Sequence, residues 1–498
     1  MNREDWARLE KTIEWMESKA REFGLDFFDM RYEICPADVV YTIAGFGMPT
    51  RYSHWSFGKQ YYRQKLDFDL GISRIYELVV NSDPCYAFLL DSNTVLQNEM
   101  IVAHVLGHSD FFKHNARFRY TNRRMVDSMA AAAERIRKYE ETYGMTRVEE
   151  ILDAALSIQE HVDASFRAQV ASRPDDDGSR APYGPGKPRP APGAYDDLWS
   201  MDAALPAVND IRPSGPGDRA KDTGNGSRNI NQNSNEIQPD NAHKGTGEGT
   251  TNKSTTSRSA YGKDLLRFII THSKHLEEWE RDIVSTVRDE MLYFWPQLET
   301  KIMNEGWATY WHTRLMQERE LTGQDAVDFA LLTANVAQPN RFTLNPYNVG
   351  YAVWRDIERR YGTEKMFEVR ECDSDVSFIR NYLNQDIVDQ CELYLFEKKG
   401  ADWVVAERDH TIIRDVLVQQ RTNAGFPVLH VSEDADGAFD GLGITHAYEG
   451  QELDLEYVER TLPRVYRLWG RPVTLKTIVN GQPVEFVYDG TTMQKKVV

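Results

Sequence analysis

The sequence predicts an α+β protein with a mainly α-helical N-terminal region, a long insertion and a small α+β domain at the C-terminal end. Apolar residues recur at helical spacing in several stretches between residues 4 and 169 and again between residues 263 and 361. Residues 171–260 are instead rich in Asp, Gly, Pro, Ser, Asn and Thr, a composition that cannot bury enough apolar surface to order a chain. Beyond residue 387, short runs that favour strands alternate with helical patterns.

These patterns divide the chain of 498 residues into four segments. Residues 1–170 form the first half of a core domain, and residues 261–384 form its second half. Residues 171–260 are a disordered insertion between the halves, and residues 385–498 are the C-terminal domain. We expect the insertion to be a plain flexible loop, with partner docking as the alternative.

The first half of the core is predicted to be mostly helical. Glu4 to Phe23 forms an amphipathic helix, because its apolar residues recur every three or four positions. From Phe27 to Phe88 aromatic and turn-forming residues are dense, which favours short irregular elements over long helices. Further helices are predicted from about Asn93 through His108, from Asn122 to Glu141 and from Arg147 to Gln169.

The second half resumes helical spacing at Lys263, continues to Ile270 and repeats it from Leu276 to Phe294. Pro296 is expected to start the helix that follows. Another helix is expected to start at Asn345-Pro346-Tyr347 and to run to about Tyr361, because proline suits the first helical turn.

The C-terminal domain is predicted to combine strands with two helices. Its last two strands flank the turn residues Asn480 and Gly481, as in a β-hairpin. The predicted strands are residues 391–397, 403–406, 428–431, 443–447, 473–479 and 484–488, and the predicted helices are residues 412–420 and 455–469.

The composition excludes several classes of partner. The net charge is −18 at pH 7, and no basic block accompanies the motifs, so we expect no binding to nucleic acid or to an anionic membrane. The N-terminal residues do not resemble a signal peptide, and no apolar run has the length of a membrane span. The four cysteines form no CxxC pair, which favours reduced thiols. We therefore expect a cytoplasmic protein.

The first candidate metal ligands are His104 and His108. Residues four positions apart on a helix lie on one face, so the two imidazoles can bind one divalent ion. Two such histidines alone are a weak signal, since histidines on helices are often simply hydrogen-bonded.

A second motif, Asn304-Glu305-Gly306-Trp307-Ala308-Thr309-Tyr310, strengthens the metal hypothesis. Glu305 lies in an otherwise apolar and aromatic helical stretch. An unpaired carboxylate buried there would cost several kcal/mol. Gly306 costs roughly 1 kcal/mol in a helix interior, which is acceptable where a second helix or a metal approaches closely. We therefore expect Glu305 to be the third ligand.

Together the two motifs resemble the halves of a gluzincin zinc site, in which HExxH supplies two histidines and NEGxAxY supplies a glutamate. This resemblance implies a zincin-like core. The chain departs from it at Val105, where a glutamate normally activates the attacking water. Zinc is the expected metal, and two histidines with one carboxylate also suit iron or manganese.

His312 and Glu99 are the candidates to replace the missing catalytic group. His312 follows Glu305 by two helical turns, so it could close a four-ligand structural site or move protons, or simply be a hydrogen-bonded histidine. Glu99 lies five residues before His104 and faces partly away from it. Asp110, His54 and Tyr310 are candidates to line the cleft or to support the ligands. No P-loop, GxGxxG or GxSxG motif is present.

Five motifs in order resemble the stage V sporulation protein R (SpoVR) family. They are Pro49–Lys59, Asp83–Ala87, Ala103–Phe112, Met303–His312 and Asn345–Tyr347. The resemblance spans nearly the whole chain apart from the insertion. The chain departs from the family pattern in that insertion and at His114, where asparagine is expected.

The resemblance implies a cytoplasmic bacterial protein that, in spore formers, takes part in assembling the spore cortex, a modified peptidoglycan. It also implies a stress or developmental module with a PrkA-type serine kinase and a von Willebrand-like protein as partners. It implies no biochemical activity. The sequence thus favours a metal-dependent hydrolase of an amide or peptide bond, with a metal-stabilised, non-catalytic scaffold of the same pathway as the alternative.

Overall fold

The computed structural model describes residues 3–69, 77–165, 262–339, 343–400, 402–432 and 441–498. The predicted disordered insertion, residues 171–260, lies outside these described residues. The described elements belong to one compact unit. Their mixture of helices with small sheets confirms the predicted α+β class.

The N-terminal part combines helices with a small mixed sheet. In this sheet the central strand β3 (Cys85–Leu90) pairs in parallel with β1 (Met30–Cys35) and antiparallel with β2 (Leu78–Val80). The elements are α1 (Arg3–Glu22), β1 (Met30–Cys35), α2 (Ala37–Phe46), α3 (Trp55–Asp69), β2 (Leu78–Val80), β3 (Cys85–Leu90), α4 (Val95–His114), α5 (Met125–Tyr143) and α6 (Met145–Leu156). The expectation of short irregular elements from Phe27 to Phe88 is wrong for α3, which has 15 residues. The side chains of residues 55–66 in this helix are largely exposed, so a buried apolar stripe did not mark it.

The second helical part follows from residue 265. It contains α7 (Leu265–His272), α8 (Glu278–Glu299), α9 (Lys301–Gln317), α10 (Gly323–Val336), α11 (Pro346–Tyr361), α12 (Thr363–Cys372), α13 (Asp375–Tyr382) and α14 (Gln385–Gln390). Helix α11 has the predicted bounds, because Asn345 caps it through Tyr347 N and Asn348 N. The predicted start at Pro296 is wrong, since Pro296 lies inside α8 and the next helix begins at Lys301.

The C-terminal part contains a hairpin and a five-stranded sheet of order β10-β9-β8-β7-β6. Strands β7 and β8 are parallel, and helix α16 connects them. The other neighbouring pairs of this sheet are antiparallel. The elements are β4 (Leu395–Lys399), β5 (Asp402–Glu407), α15 (His410–Arg421), β6 (Leu429–Val431), β7 (Leu442–His446), α16 (Leu455–Trp469), β8 (Val473–Val479), β9 (Gln482–Tyr488) and β10 (Met493–Val497).

Two large apolar clusters hold these elements together. The first contains buried side chains of α1, α4, α9 and α11, and the second joins α6, α7, α8 and α16 to the five-stranded sheet. Helices α4 and α9 are buried on nearly all sides, so their polar residues lie inside the first cluster. Among the described residues, no helix combines the length and the apolar character that crossing a bilayer requires.

Candidate metal centre

Helix α4 places His104 and His108 side by side in the interior. It begins with a capping box, in which Thr94 accepts a hydrogen bond from Gln97 N and the Gln97 side chain accepts one from Thr94 N. The two imidazole rings meet edge to face, with centroids 4.6 Å apart and an interplanar angle of 78°. Both histidines are more than nine-tenths buried.

Helix α9 places Glu305 opposite these histidines. Its first turn is anchored by the buried carboxylate of Asp375, which accepts hydrogen bonds from Ile302 N and Met303 N, each 3.0 Å long. Burial raises the pKa of Asp375 to about 6 although both amides and Arg421 oppose this shift. Asp375 of α13 therefore fixes the start of α9 and, with it, the position of Glu305.

Glycines allow three helix backbones to come into contact at this point. A Cβ added to Gly107 of α4 would lie 2.7 Å from Ala308 Cα of α9, and a Cβ added to Gly306 would overlap with the backbone of Gly350 in α11. The proposed reason for Gly306, the close approach of a second helix, is confirmed. This packing brings both histidines within reach of the α9 glutamate.

Four side chains converge where α4 and α9 meet: Glu77, His104, His108 and Glu305. Their potential ligand atoms all lie within 4.8 Å of one another. His104 Nε2 is 3.0 Å from Glu77 Oε2 and 3.8 Å from Glu305 Oε2, and His108 Nε2 is 3.5 Å from Glu305 Oε2. These four residues are called the His-Glu cluster below.

The opposite ring nitrogens of both histidines are held by buried neighbours. His104 Nδ1 is hydrogen-bonded to His312 Nδ1 at 3.0 Å, and His108 Nδ1 is hydrogen-bonded to Asn304 Oδ1 at 2.9 Å. The asparagine oxygen can only accept, so Nδ1 of His108 carries the proton and its Nε2 lone pair faces the cluster. This is the arrangement that metal-binding histidines usually show.

The cluster retains polar atoms that the protein itself does not satisfy. His104 Nε2 and Glu305 Oε2 are buried without a hydrogen bond of normal geometry to any described residue, although His104 Nε2 lies at ion-pair distance from Glu77. Buried polar atoms rarely remain unpaired. Two imidazoles and two carboxylates are also ligands that zinc, iron and manganese accept, so the residues present fit a divalent metal ion.

The charges of the cluster are strongly coupled. Burial alone would lower the pKa of His104, but Glu77 and Glu305 raise it to about 9. Burial would raise the pKa of Glu305, and His104 and His108 instead hold it far below its usual value. Burial and the two neighbouring histidines lower the pKa of His312 well below its usual range. The cluster therefore contains ionised carboxylates, and the adjoining His312, which is hydrogen-bonded to His104, stays neutral.

Glu77 and Tyr347 were not selected from the sequence. Glu77 precedes β2, and Tyr347 in the first turn of α11 donates a hydrogen bond of 2.6 Å to Glu77 Oε1. Tyr347 belongs to the Asn345-Pro346-Tyr347 motif, and this motif was the sequence signal that could have identified it as a site residue. No local pattern marks Glu77, because its neighbours in the cluster are distant in the sequence.

The other candidate residues lie outside the His-Glu cluster. Glu99 is completely buried between α1 and α9, where Arg8 and Arg319 bind its carboxylate. His54 contacts Ser56 and Asp153. Tyr310 accepts a hydrogen bond from Arg314 at 2.6 Å.

Asp110 supports the site from a distance. Its buried carboxylate accepts hydrogen bonds from Trp307 Nε1 at 2.9 Å, from Arg370 Nη1 at 2.8 Å and from Asp26 N at 2.8 Å. It therefore ties α4 to α9 and α12 two residues beyond His108 and Glu305.

A cavity of about 40 Å³ adjoins Glu77, His104 and His312. Its remaining walls are mostly apolar and include Met100 and Leu332. A space of this size holds a water molecule or a small polar group beside the cluster.

The family model described as SpoVR like protein matches residues 3–426. This chain belongs to the SpoVR family. The match contains all four residues of the His-Glu cluster and ends before β6. The SpoVR chain is also 28% identical over 376 residues to the uncharacterized protein YcgB of Escherichia coli (strain K12), an alignment that covers 71% of this chain and 64% of YcgB. The SpoVR chain thus spans somewhat less than two thirds of that relative. No solved structure matches it significantly.

Proposed function

We propose that this SpoVR-family protein is a metal-dependent hydrolase of an amide or peptide bond, in which His104, His108 and Glu305 hold a divalent ion. The observation that carries the proposal is the position of Glu77. This carboxylate comes from another part of the chain and lies 3.0 Å from His104 Nε2, and we assign to it the role of the base that Val105 cannot supply. Zinc is the expected metal, and the same ligands suit iron or manganese.

Glu77 is held in the ionised form that a general base requires. Burial alone would raise its pKa, but contact with His104 keeps the pKa below its usual value. The carboxylate is therefore ionised and can accept a proton from an attacking water. The Tyr347 hydroxyl fixes one of its oxygens, which leaves the other oxygen facing the cluster.

The remaining residues position the ligands. His312 and Asn304 hold the two imidazoles through their Nδ1 atoms, so that both Nε2 atoms face Glu305. A bound divalent ion would supply Lewis acidity to polarise the carbonyl of the scissile bond. The adjoining cavity of about 40 Å³ admits a water molecule or the reacting group beside Glu77.

A second candidate function is a metal-stabilised scaffold without catalysis. The observation that favours it is the number of protein donors, because four side chains within 4.8 Å could complete a tetrahedral structural site. In that arrangement Glu77 is a ligand rather than a base. The effect of replacing Glu77 on metal content and on hydrolysis distinguishes the two functions.

The decisive experiment compares wild-type protein with Glu77→Gln and with Glu14→Gln, an exposed position on α1. Metal content and hydrolysis of a panel of peptides, including peptidoglycan stem peptides, are measured for each. The hydrolase proposal predicts that Glu77→Gln keeps about one metal ion per chain and loses roughly 100-fold or more in turnover. Loss of the metal from Glu77→Gln, with no hydrolysis by the wild type, would support the scaffold instead.

The biological setting follows from the family name. Sporulation is the process in which we place the activity, with cortex peptidoglycan, its precursors or a regulatory protein as the substrate and the cytoplasm as its location. A PrkA-type serine kinase and a von Willebrand-like protein are the partners that the family resemblance suggests. Deletion of the gene followed by complementation with Glu77→Gln would test whether the cluster is needed in that pathway.

A further inference from the structure

A second and larger cavity lies in the C-terminal half of the fold. Its volume is about 480 Å³, which is within the range of roughly 300–1,000 Å³ that small-molecule sites occupy. It lies among the end of α6, the start of α7, helices α15 and α16, and the strands β6, β7 and β8. Apolar side chains such as Phe426, Ile444 and Leu462 form much of its wall.

The charged residues described in the lining of this cavity are all acidic. Its lining includes Glu160, Glu449, Glu452 and Asp454, and among the described residues that line it there is no lysine or arginine. Asp454 caps α16, and Glu452 accepts a hydrogen bond from Asn480 N. Glu160 forms no ion pair with any described residue, and burial raises its pKa. An organic anion would thus find no counter-charge here, whereas a cation would find several carboxylates.

His161 is the second and independent indication of a ligand. Its backbone is fixed by hydrogen bonds to Ile158 O and from Leu265 N. Its side chain lines the cavity and is only 9% exposed. Within the described ranges its imidazole has no hydrogen-bond partner. A buried imidazole that lines a cavity and lacks a partner is expected to bind a group placed there.

His446 stands on β7 at the same cavity. Its Nδ1 is hydrogen-bonded to Thr477 Oγ1 at 2.9 Å. Burial and the neighbouring His446 lower the pKa of His161 to about 4, so its ring is neutral near pH 7 and does not repel a cation.

We propose that this cavity binds a small organic cation, with an ammonium or guanidinium group near Glu160 and an apolar body between α16 and the sheet. The neutral imidazole of His161 accepts a hydrogen bond from the same cationic group. Among described residues, the only group suited to hold a metal ion is the His-Glu cluster, so an organic cation is favoured over a metal.

This site is separate from the proposed hydrolase centre. None of the four cluster residues lines the larger cavity. The strands β6 and β7 and helix α16 also lie beyond the residues that the SpoVR family model matches. The inference therefore does not depend on the proposed function.

Three probes of similar shape test the proposal on the full-length protein: phenethylamine, 2-phenylethanol and 3-phenylpropanoate. Isothermal titration calorimetry measures each Kd at pH 7.5 for wild type, Glu160→Gln, His161→Gln and Glu141→Gln. Glu141 is exposed on α5 and outside the cavity lining, so its variant is a control with the same charge change. Glu305→Ala is included to detect binding of the amine at the His-Glu cluster.

We expect phenethylamine to bind wild type, Glu141→Gln and Glu305→Ala equally, and to bind Glu160→Gln and His161→Gln at least about tenfold more weakly. The alcohol should bind more weakly than the amine, and the carboxylate should not bind. The proposal is overturned if no probe binds, if the alcohol or carboxylate binds as well as the amine, or if neither cavity variant weakens the amine. Loss of binding only in Glu305→Ala would equally overturn it.

Discussion

His104 and His312 are joined through their Nδ1 atoms, which lie 3.0 Å apart in the interior between α4 and α9. One nitrogen must donate and the other accept. When His104 binds a metal through Nε2, its Nδ1 carries the proton and His312 is the acceptor. His312 therefore positions a ligand and does not itself enter the His-Glu cluster.

Replacing His312 should weaken metal binding without abolishing it. His312→Leu removes the acceptor for His104 Nδ1–H, and the loss of such a partner typically lowers metal affinity about 10- to 100-fold. His312→Gln retains an acceptor and should lose less. Competition with a chromophoric zinc chelator measures both affinities, and His430→Leu, at an exposed position, is the control. Equal affinity in His312→Leu and wild type would contradict this role.

Gly306→Ala should destabilise the protein although alanine favours helices by about 1 kcal/mol. Its Cβ would overlap with the backbone of Gly350, and overpacking of this kind costs about 1–3 kcal/mol or more. Gly58→Ala is the matched control, because an added Cβ on that α3 glycine meets nothing within 4 Å. Urea denaturation should show a lower free energy of unfolding for Gly306→Ala and an unchanged or higher one for Gly58→Ala. A stable Gly306→Ala protein would mean that the helices are farther apart.

Arg370→Met should leave the buried carboxylate of Asp110 without its cation. The two side chains are 2.8 Å apart and are 7% and 0% exposed, and removing one partner of such a pair costs about 3–5 kcal/mol. Arg124→Met is the surface control, since the side chain of Arg124 is 81% exposed and lies 3.7 Å from Asp127. We expect its effect to stay within about 0.5 kcal/mol. Similar unfolding free energies for the two variants would contradict the account.

His161 should make the protein less stable in mild acid. Burial, and to a smaller extent the neighbouring His446, lowers the pKa of His161 from 6.5 to about 4 in the folded state. The folded protein thus binds this proton less tightly than the unfolded chain does. The associated stability is present above pH 6.5 and is lost as the pH falls towards 4, and it amounts to at most about 3 kcal/mol.

Denaturation of wild type and His161→Gln at pH 7.5 and pH 4.5 measures this contribution. The variant should lose less unfolding free energy between the two pH values than wild type does. The exposed control His430→Gln should follow wild type. An identical pH dependence in wild type and His161→Gln would show that the ring is not held neutral in the fold.

Local signals predicted much of the fold. The cap at Asn345 and the following proline gave the start of α11, and the apolar pattern gave both ends of α16. Helix α10 was missed; none of its residues is fully buried, although Phe329 and Leu332 pack against the first apolar cluster. Pro296 was taken for a helix start, whereas α8 continues past it to Glu299.

The candidate site shows the same division between local and distant information. His104, His108 and Glu305 were selected because each lies in a short motif with a known geometry. Glu77 was missed because its partners His104 and Tyr347 are distant from it in the sequence. Glu99 was selected by its closeness in sequence to His104, yet its side chain faces α1 and binds Arg8.

Metal analysis of the untagged protein tests whether the His-Glu cluster holds one divalent metal ion. Plasma mass spectrometry is applied to wild type, His104→Ala, Glu305→Ala and the surface control His430→Ala, with circular dichroism to confirm folding. We predict close to one zinc, iron or manganese ion per chain in wild type and control, and loss of the ion in both cluster variants. If the wild-type protein bound none of these metals after reconstitution, the His-Glu cluster would not be a metal site.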